Sequence, residues 1–263
     1  METLHTTDLA PLTEARFLET HVAFEGSSTQ QGQILQHLAQ MPLPAEASIL
    51  SVGCGSGILD GPLVERICEG RKLRYVGLEP NAAQGRIFEA RLSTMCDAQW
   101  VPGRFEAARF EERFDLILFI HSHYYLDDVP KQLASAMRLL KPGGRLVIAA
   151  APRGELNRLS ELFWPERGDA DLWFSGELQP ELGAVGSKVE VTSIDARLDV
   201  TSCFDGTRLG WAIRDFVVHA DTRAMKPALV ERIDDALRTM GRQESDGRWT
   251  VPHPVDIFEI TAK

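Results

Sequence analysis

The sequence predicts an α/β protein built on a mostly parallel, doubly wound sheet. Three observations carry this. Between residues 48 and 150 short strands that are apolar throughout alternate with helical segments, and strands of that kind are buried on both faces. A glycine-rich turn, Gly53-Cys54-Gly55-Ser56-Gly57, follows the first strand, and a second turn, Lys141-Pro142-Gly143-Gly144, precedes the fifth.

Taken in order, residues 11–41 read as helical, because Phe17, Val22 and Phe24, then Ile34, Leu35, Leu38 and Met41, recur at three- and four-residue steps. Gly26-Ser27-Ser28-Thr29 interrupts this stretch and can cap a second helix, which Pro42 and Pro44 end. Residues 48–52 form the first strand, and a helix over about 61–69 follows. Residues 73–78 form the second strand. Asn81 can cap the next helix, which runs to about Met95. Strands over 99–101 and 114–120, a helix over 130–140 and a strand over 145–150 complete the regular part. Right-handed crossovers then wind the sheet on both sides. Beyond Pro152 the pattern predicts helices near 155–164, 175–182, 208–219 and 226–240, one strand over 189–198 and a last strand over 255–260.

Composition narrows the function. The 263 residues carry a net charge of -10, which repels nucleic-acid phosphates and argues against a nucleic-acid surface. No apolar run reaches the roughly 18 residues of a membrane span, and the first residues do not read as a signal peptide. Cys54, Cys68, Cys96 and Cys203 are scattered without metal-ligand spacing. Free thiols, a cytoplasmic location and no metal are the expectation.

A strand running into Gly53-x-Gly55-x-Gly57 and then a helix is a nucleotide-cofactor turn, since glycines let a ligand approach the backbone. The dinucleotide fingerprint wants a small residue where Ile58 stands. Glu79 ends the second strand, where an acid can accept hydrogen bonds from ribose hydroxyls. It signals an adenosine without saying which cofactor carries it.

The order of glycine loop, acid-ended strand, Phe114-Asp115 strand and Leu139-Leu140-Lys141-Pro142-Gly143-Gly144 turn resembles class I methyltransferases over residues 48–150. Closer details resemble the histamine N-methyltransferase family: residues 49–60, Leu78-Glu79-Pro80-Asn81-Ala82-Ala83-Gln84, the run from Ile120 to Pro130, Ser202 to Gly206, and Trp211 with Asp215-Phe216. The resemblance implies a Rossmann-like seven-stranded sheet forming a single methyltransferase domain over 1–263. Residues 48–150 would be the cofactor core, with 1–45 and 152–250 as small helical substrate-side additions. It implies S-adenosyl-L-methionine as cofactor, with S-adenosyl-L-homocysteine as product. The cofactor positions fall on Gly53, Gly55, Gly57, Glu79, Pro80, Gln84, Phe105 and Ile120.

Substrate positions fall on Phe17, Phe24, Gln30, His121, Tyr124, Tyr125, Trp173, Phe204 and His253. His121, Tyr125 and His253 are the candidates for catalysis. An extended chain puts residues 121 and 123 on one side, so His123 could share the cleft with His121. The chain departs from the family at Gln30, where a carboxylate grips an amine, and at His121 and His253, which replace amides. Because an unpaired buried ammonium is costly, Gln30 suggests a substrate less cationic at that contact, or one bearing a carboxylate or amide, and so not histamine. Nitrogen is the expected methyl acceptor, because an amine or imidazole lone pair attacks a sulfonium without a strong base. Methylation at oxygen or carbon, a non-catalytic cofactor-binding subunit and a nicotinamide oxidoreductase are the rival readings. The partner is a small molecule, and the chain is a monomer or homodimer. Phe163, Trp164, Trp173 and Phe174 could belong to a lid over 155–185.

Overall fold

A computed structural model describes residues 12–106, 108–161, 173–184 and 188–262. In chain order the elements are α1 (Glu14–Gly26), α2 (Gln30–Ala39), β1 (Glu46–Val52), α3 (Asp60–Ile67), β2 (Lys72–Glu79), α4 (Ala82–Leu92), β3 (Asp97–Pro102), β4 (Phe114–Ile120), α5 (Val129–Arg138), β5 (Leu140–Ala150), α6 (Glu155–Glu161), α7 (Ser175–Ala184), β6 (Val189–Ile194), β7 (Arg197–Asp199), α8 (Arg208–Val218), α9 (Pro227–Met240), β8 (Arg242–Gln243), β9 (Trp249–Pro252) and β10 (Val255–Thr261). They fall into two compact units.

One unit holds residues 32–151, 173–194 and 256–262 and is built on a seven-stranded sheet in the order β3-β2-β1-β4-β5-β10-β6. β1, β2, β3, β4 and β5 are mutually parallel, while β10 runs antiparallel to β5. The apolar runs form strands because both faces are covered: Leu50, Ile117, Phe119, Leu146, Ile148 and Phe258 are all buried in one core cluster. Asn81 caps α4 by accepting the N–H groups of Ala83 and Gln84. Lys141 to Gly144 lies inside β5 as an irregularity, with Phe114 opposite Leu140 and Leu116 opposite Arg145. The Lys141 ammonium sits 2.7 Å from Asp115, whose carboxylate also accepts the Ser48 N–H. The turn is therefore tied to the starts of both β1 and β4.

The other unit holds residues 12–31, 152–161 and 195–255. Helices α1, α6, α8 and α9 supply its core through Phe24, Leu156, Leu159, Ile213, Val217, Ile233 and Leu237. A three-stranded antiparallel sheet, β7-β9-β8, packs with them. Two expectations are corrected here. The stretch 189–198 is not one strand: Ile194 ends β6 in the large sheet, and Arg197 starts β7 in the small one. The additions are also not only helical, because β7, β8 and β9 are too short for residue patterning to reveal. Among the described residues no helix is long and apolar enough to cross a membrane.

Candidate active site

The glycine loop leaves β1 in a conformation that other residues adopt with strain. Gly53, Gly55 and Gly57 have φ of 68°, 54° and 70°. A Cβ on Gly53 would stand 2.5 Å from the Ser122 Cβ, so the loop passes directly against the chain that leaves β4. Ser122 Oγ donates to the Val52 carbonyl and locks that approach. Glu79, at the end of β2, is 7% exposed. Its Oε2 accepts the Gly55 N–H at 3.1 Å and its Oε1 the Asn81 N–H at 2.8 Å. Each carboxylate oxygen still has acceptor capacity. The Gln84 amide oxygen lies 3.0 Å from where a Cβ on Gly55 would be, so this side chain rests on the loop instead of standing free on the helix surface. Phe105 is buried edge-on to Phe119 at 5.4 Å. Ile120 is half-buried, and Pro80 is exposed. A bare backbone cradle beside an anchored carboxylate fits an adenosyl cofactor.

Beyond β4 the chain is not extended. His121 has φ of 52° and donates its N–H to the Ala149 carbonyl, and His123 opens a short 3-10 turn ending at Tyr125. The two imidazoles therefore do not share one side as an extended segment would have them. His123 is fully buried, with Nε2 donating to the Trp173 carbonyl at 2.7 Å. Burial drives its pKa down to about 3, so it is a neutral packing residue. Tyr124 accepts the Ala151 N–H at 2.6 Å, and its hydroxyl lies 3.4 Å from His121 Nδ1. Burial holds the Tyr124 phenol well above its usual pKa, so it stays protonated. Tyr125 is 64% exposed, and its carbonyl accepts from Arg104. Trp173 packs partly buried against the core of this unit. Phe163 and Trp164 lie outside the described residues.

In the helical unit, Phe17, His21 and Phe24 share one face of α1 and meet Phe216 of α8 at ring distances of 5.5, 5.3 and 4.5 Å. His219 joins them 5.4 Å from Phe216, and His253 stands edge-on to Phe24 at 4.8 Å. Gln30 is 1% exposed. Both donors of its amide go to backbone, at 2.8 Å to the His253 carbonyl and 3.2 Å to that of Pro254. His253 Nδ1 lies 2.7 Å from Ser28 Oγ. The residue expected to grip a substrate thus spends its amide donors holding the His253 segment. Phe204 is covered by Trp249 and by the Arg238 guanidinium, 4.4 Å from its ring centroid. His21, Phe216 and His219 belong to this ring cluster although the sequence does not single them out. The spacing of 17, 21 and 24 was their available signal, and it reads equally as core. Among the described residues no cluster of His, Cys, Asp and Glu is arranged to hold a metal ion.

The parallel sheet with one antiparallel strand, the glycine loop and the acid at the end of β2 define a class I methyltransferase. The chain belongs to the methyltransferase-domain family, whose family model matches residues 28–172, and it is an S-adenosylmethionine-dependent enzyme. It is 25% identical over 248 residues to histamine N-methyltransferase B of Xenopus laevis, covering 81% of this chain and 83% of that protein. It is 30% identical over 205 residues to a ubiquinone biosynthesis O-methyltransferase of Methylobacterium nodulans, covering 71% and 76%. Phosphoethanolamine N-methyltransferase 2 of Haemonchus contortus, solved with S-adenosyl-L-methionine, shares the fold at a TM-score of 0.55 and 17% identity, covering 89% of this chain and 52% of that one.

Proposed function

We propose that the enzyme methylates a nitrogen of a small molecule other than histamine. Bound S-adenosylmethionine supplies an already activated sulfonium methyl group, so the protein mainly aligns a nucleophile and excludes water. Glu79 would accept hydrogen bonds from the cofactor, and Gly53, Gly55, Gly57, Gln84, Pro80, Phe105 and Ile120 would help hold it. The observation that carries the reading is the position of His121. It directly precedes Ser122, which packs on Gly53, and its Nδ1 lies 3.4 Å from the Tyr124 hydroxyl. His121 orients the nucleophile there and can accept a proton, and Tyr124 and Tyr125 flank it. Phe17, Phe24 and His253 are the substrate positions that the family resemblance implies, and within their own unit Gln30 holds the His253 segment. The chain works as a single methyltransferase domain in the cytoplasm, as monomer or homodimer, without nucleic acid. Its net charge of -10 supports the last point.

Incubation with methyl-labelled cofactor and a panel of amines, imidazoles, amino acids and phenols tests this. Label found on nitrogen supports the reading, and label found only on oxygen or carbon sinks it. The similarity to the ubiquinone O-methyltransferase makes oxygen the second reading.

A further inference from the structure

A loop with three left-handed glycines deforms easily, so whatever fixes its peptides decides how well it is preorganised for a ligand. Its first N–H groups are met close by. Gly53 and Cys54 donate to the Leu78 carbonyl, Gly55 to Glu79, and Gly57 to the Cys54 carbonyl. The end of the loop is held from α4. Gln84, Phe88 and Arg91, four and three residues apart, share one face of that helix. Gln84 rests on Gly55, and Phe88 lies 3.0 Å from where a Cβ on Gly57 would be. Arg91 stands in the last turn of α4 and is exposed, yet it makes no ion pair among the described residues. Its Nη1 donates instead to the Gly57 carbonyl at 3.0 Å. That carbonyl also accepts the Gly61 N–H of α3 at 2.9 Å. Gly61 leaves room for the Arg91 stem, because a Cβ there would stand 2.7 Å from Arg91 Cδ. On the inner side, buried Asp60 accepts the Tyr75 hydroxyl at 2.8 Å, which pins the start of α3 to β2.

We propose that Arg91 is a positioning residue of the cofactor site: it fixes the peptide joining Gly57 to Ile58 and so holds the loop in its cofactor-binding form. That peptide is planar, and its C=O and N–H point opposite ways. Holding the Gly57 carbonyl on Arg91 therefore turns the Ile58 N–H away from the guanidinium. The Ile58 N–H meets no acceptor among the described residues, so the clamp sets the direction of a donor that no protein group occupies. Without Arg91 the carbonyl keeps the Gly61 N–H alone, and the peptide turns more freely. Ordering it then falls to the cofactor, which binds more weakly for that reason. All of these residues belong to the unit built on the seven-stranded sheet. The inference concerns the cofactor and not the methyl acceptor, so it stands whichever atom is methylated.

S-adenosylhomocysteine, titrated by calorimetry into the full chain well below its melting temperature, is the probe. Arg91→Met keeps the stem over Gly61, loses the guanidinium and weakens the ligand about fivefold. Arg86→Met removes an exposed cation of the same helix and leaves the affinity unchanged. Gly61→Ala reaches the contact by a second route, because its methyl displaces the Arg91 stem while alanine otherwise suits a helix. It weakens the ligand severalfold in the wild type and has no further effect in Arg91→Met, a coupling that the double-mutant cycle reads directly. A cation that only stabilises the end of α4 lowers the melting temperature when removed and leaves the affinity alone. Affinity of Arg91→Met within about twofold of the wild type, an equal loss in Arg86→Met, or additive losses in the cycle overturns the clamp. Should Arg91→Met not fold, Gly61→Ala decides alone, and unchanged affinity there overturns it.

Discussion

Replacing Glu25 by glutamine removes a carboxylate that the fold holds against its own stability, and the gain can be worked out. A glutamic acid raised from 4.5 to about 7 is more easily protonated in the folded chain than in the unfolded one. The favourable contribution of its proton is therefore fully present below about pH 4.5 and is lost as pH rises through about 7. At about 1.4 kcal/mol per unit, the shift is worth about 3 kcal/mol at alkaline pH, and the small exposure of the side chain trims this to ~2–3 kcal/mol. Glutamine does not titrate and fills nearly the same volume. Urea unfolding of wild type and Glu25→Gln at about pH 5 and pH 8.5 isolates the effect, because other titrating groups cancel in the difference. The variant should gain ~2–3 kcal/mol on the wild type between those two pH values. If the difference stays constant within about 0.5 kcal/mol, Glu25 ionises as an ordinary surface acid, and the account of its burial is wrong.

His123 gives the opposite slope. Its pKa falls from 6.5 to about 3, so its contribution is present above about pH 6.5 and is lost as pH drops towards 3. His123→Gln, which keeps a donor for the Trp173 carbonyl, should flatten acid unfolding by several kcal/mol. Gly53→Ala places a methyl 2.5 Å from the Ser122 Cβ at a φ of 68°. Strain of at least ~1–2 kcal/mol should appear as a lower melting temperature and a smaller thermal shift with S-adenosylhomocysteine. Glu79→Gln swaps an acceptor for a donor opposite the Gly55 or Asn81 N–H and should weaken S-adenosylhomocysteine at least tenfold by calorimetry. Tyr124→Phe leaves the Ala151 N–H without its acceptor and removes the hydroxyl beside His121 Nδ1. Activity should fall severalfold while the S-adenosylhomocysteine shift persists.

The sheet and the cofactor loop are legible because each rests on local rules that tertiary packing does not contradict. Leu50, Ile117 and Phe119 sit in continuous apolar runs, and such runs become buried parallel strands. Asn81 stands where a cap is needed, and the glycines stand where φ is positive. Three features obey no local rule. One left-handed residue, His121, redirects everything after β4, and an alternation argument cannot see it. Gln30 is polar and buried because two carbonyls from a segment more than two hundred residues later meet its amide. The division of 189–198 between two sheets depends on strand partners, not on side chains, since β7 needs β9 to exist. The candidate site is accordingly sharp where it uses the loop and coarse where it uses helix faces.

The seat of β10 has a consequence for synthesis. Residues 255–261 lie between β5 and β6, not at a rim of the large sheet. Until the ribosome has delivered them, β5 offers Leu146, Ile148 and Ala150 along an unpaired edge, with nothing hydrogen-bonded on that side. The nascent chain can assemble β1 to β5 and even the cofactor cradle early, yet it must keep an apolar strand from pairing with neighbours until nearly all of the sequence is out. Truncations that spare every residue of the cradle but remove β10 should for that reason yield aggregates, not a minimal cofactor-binding fragment.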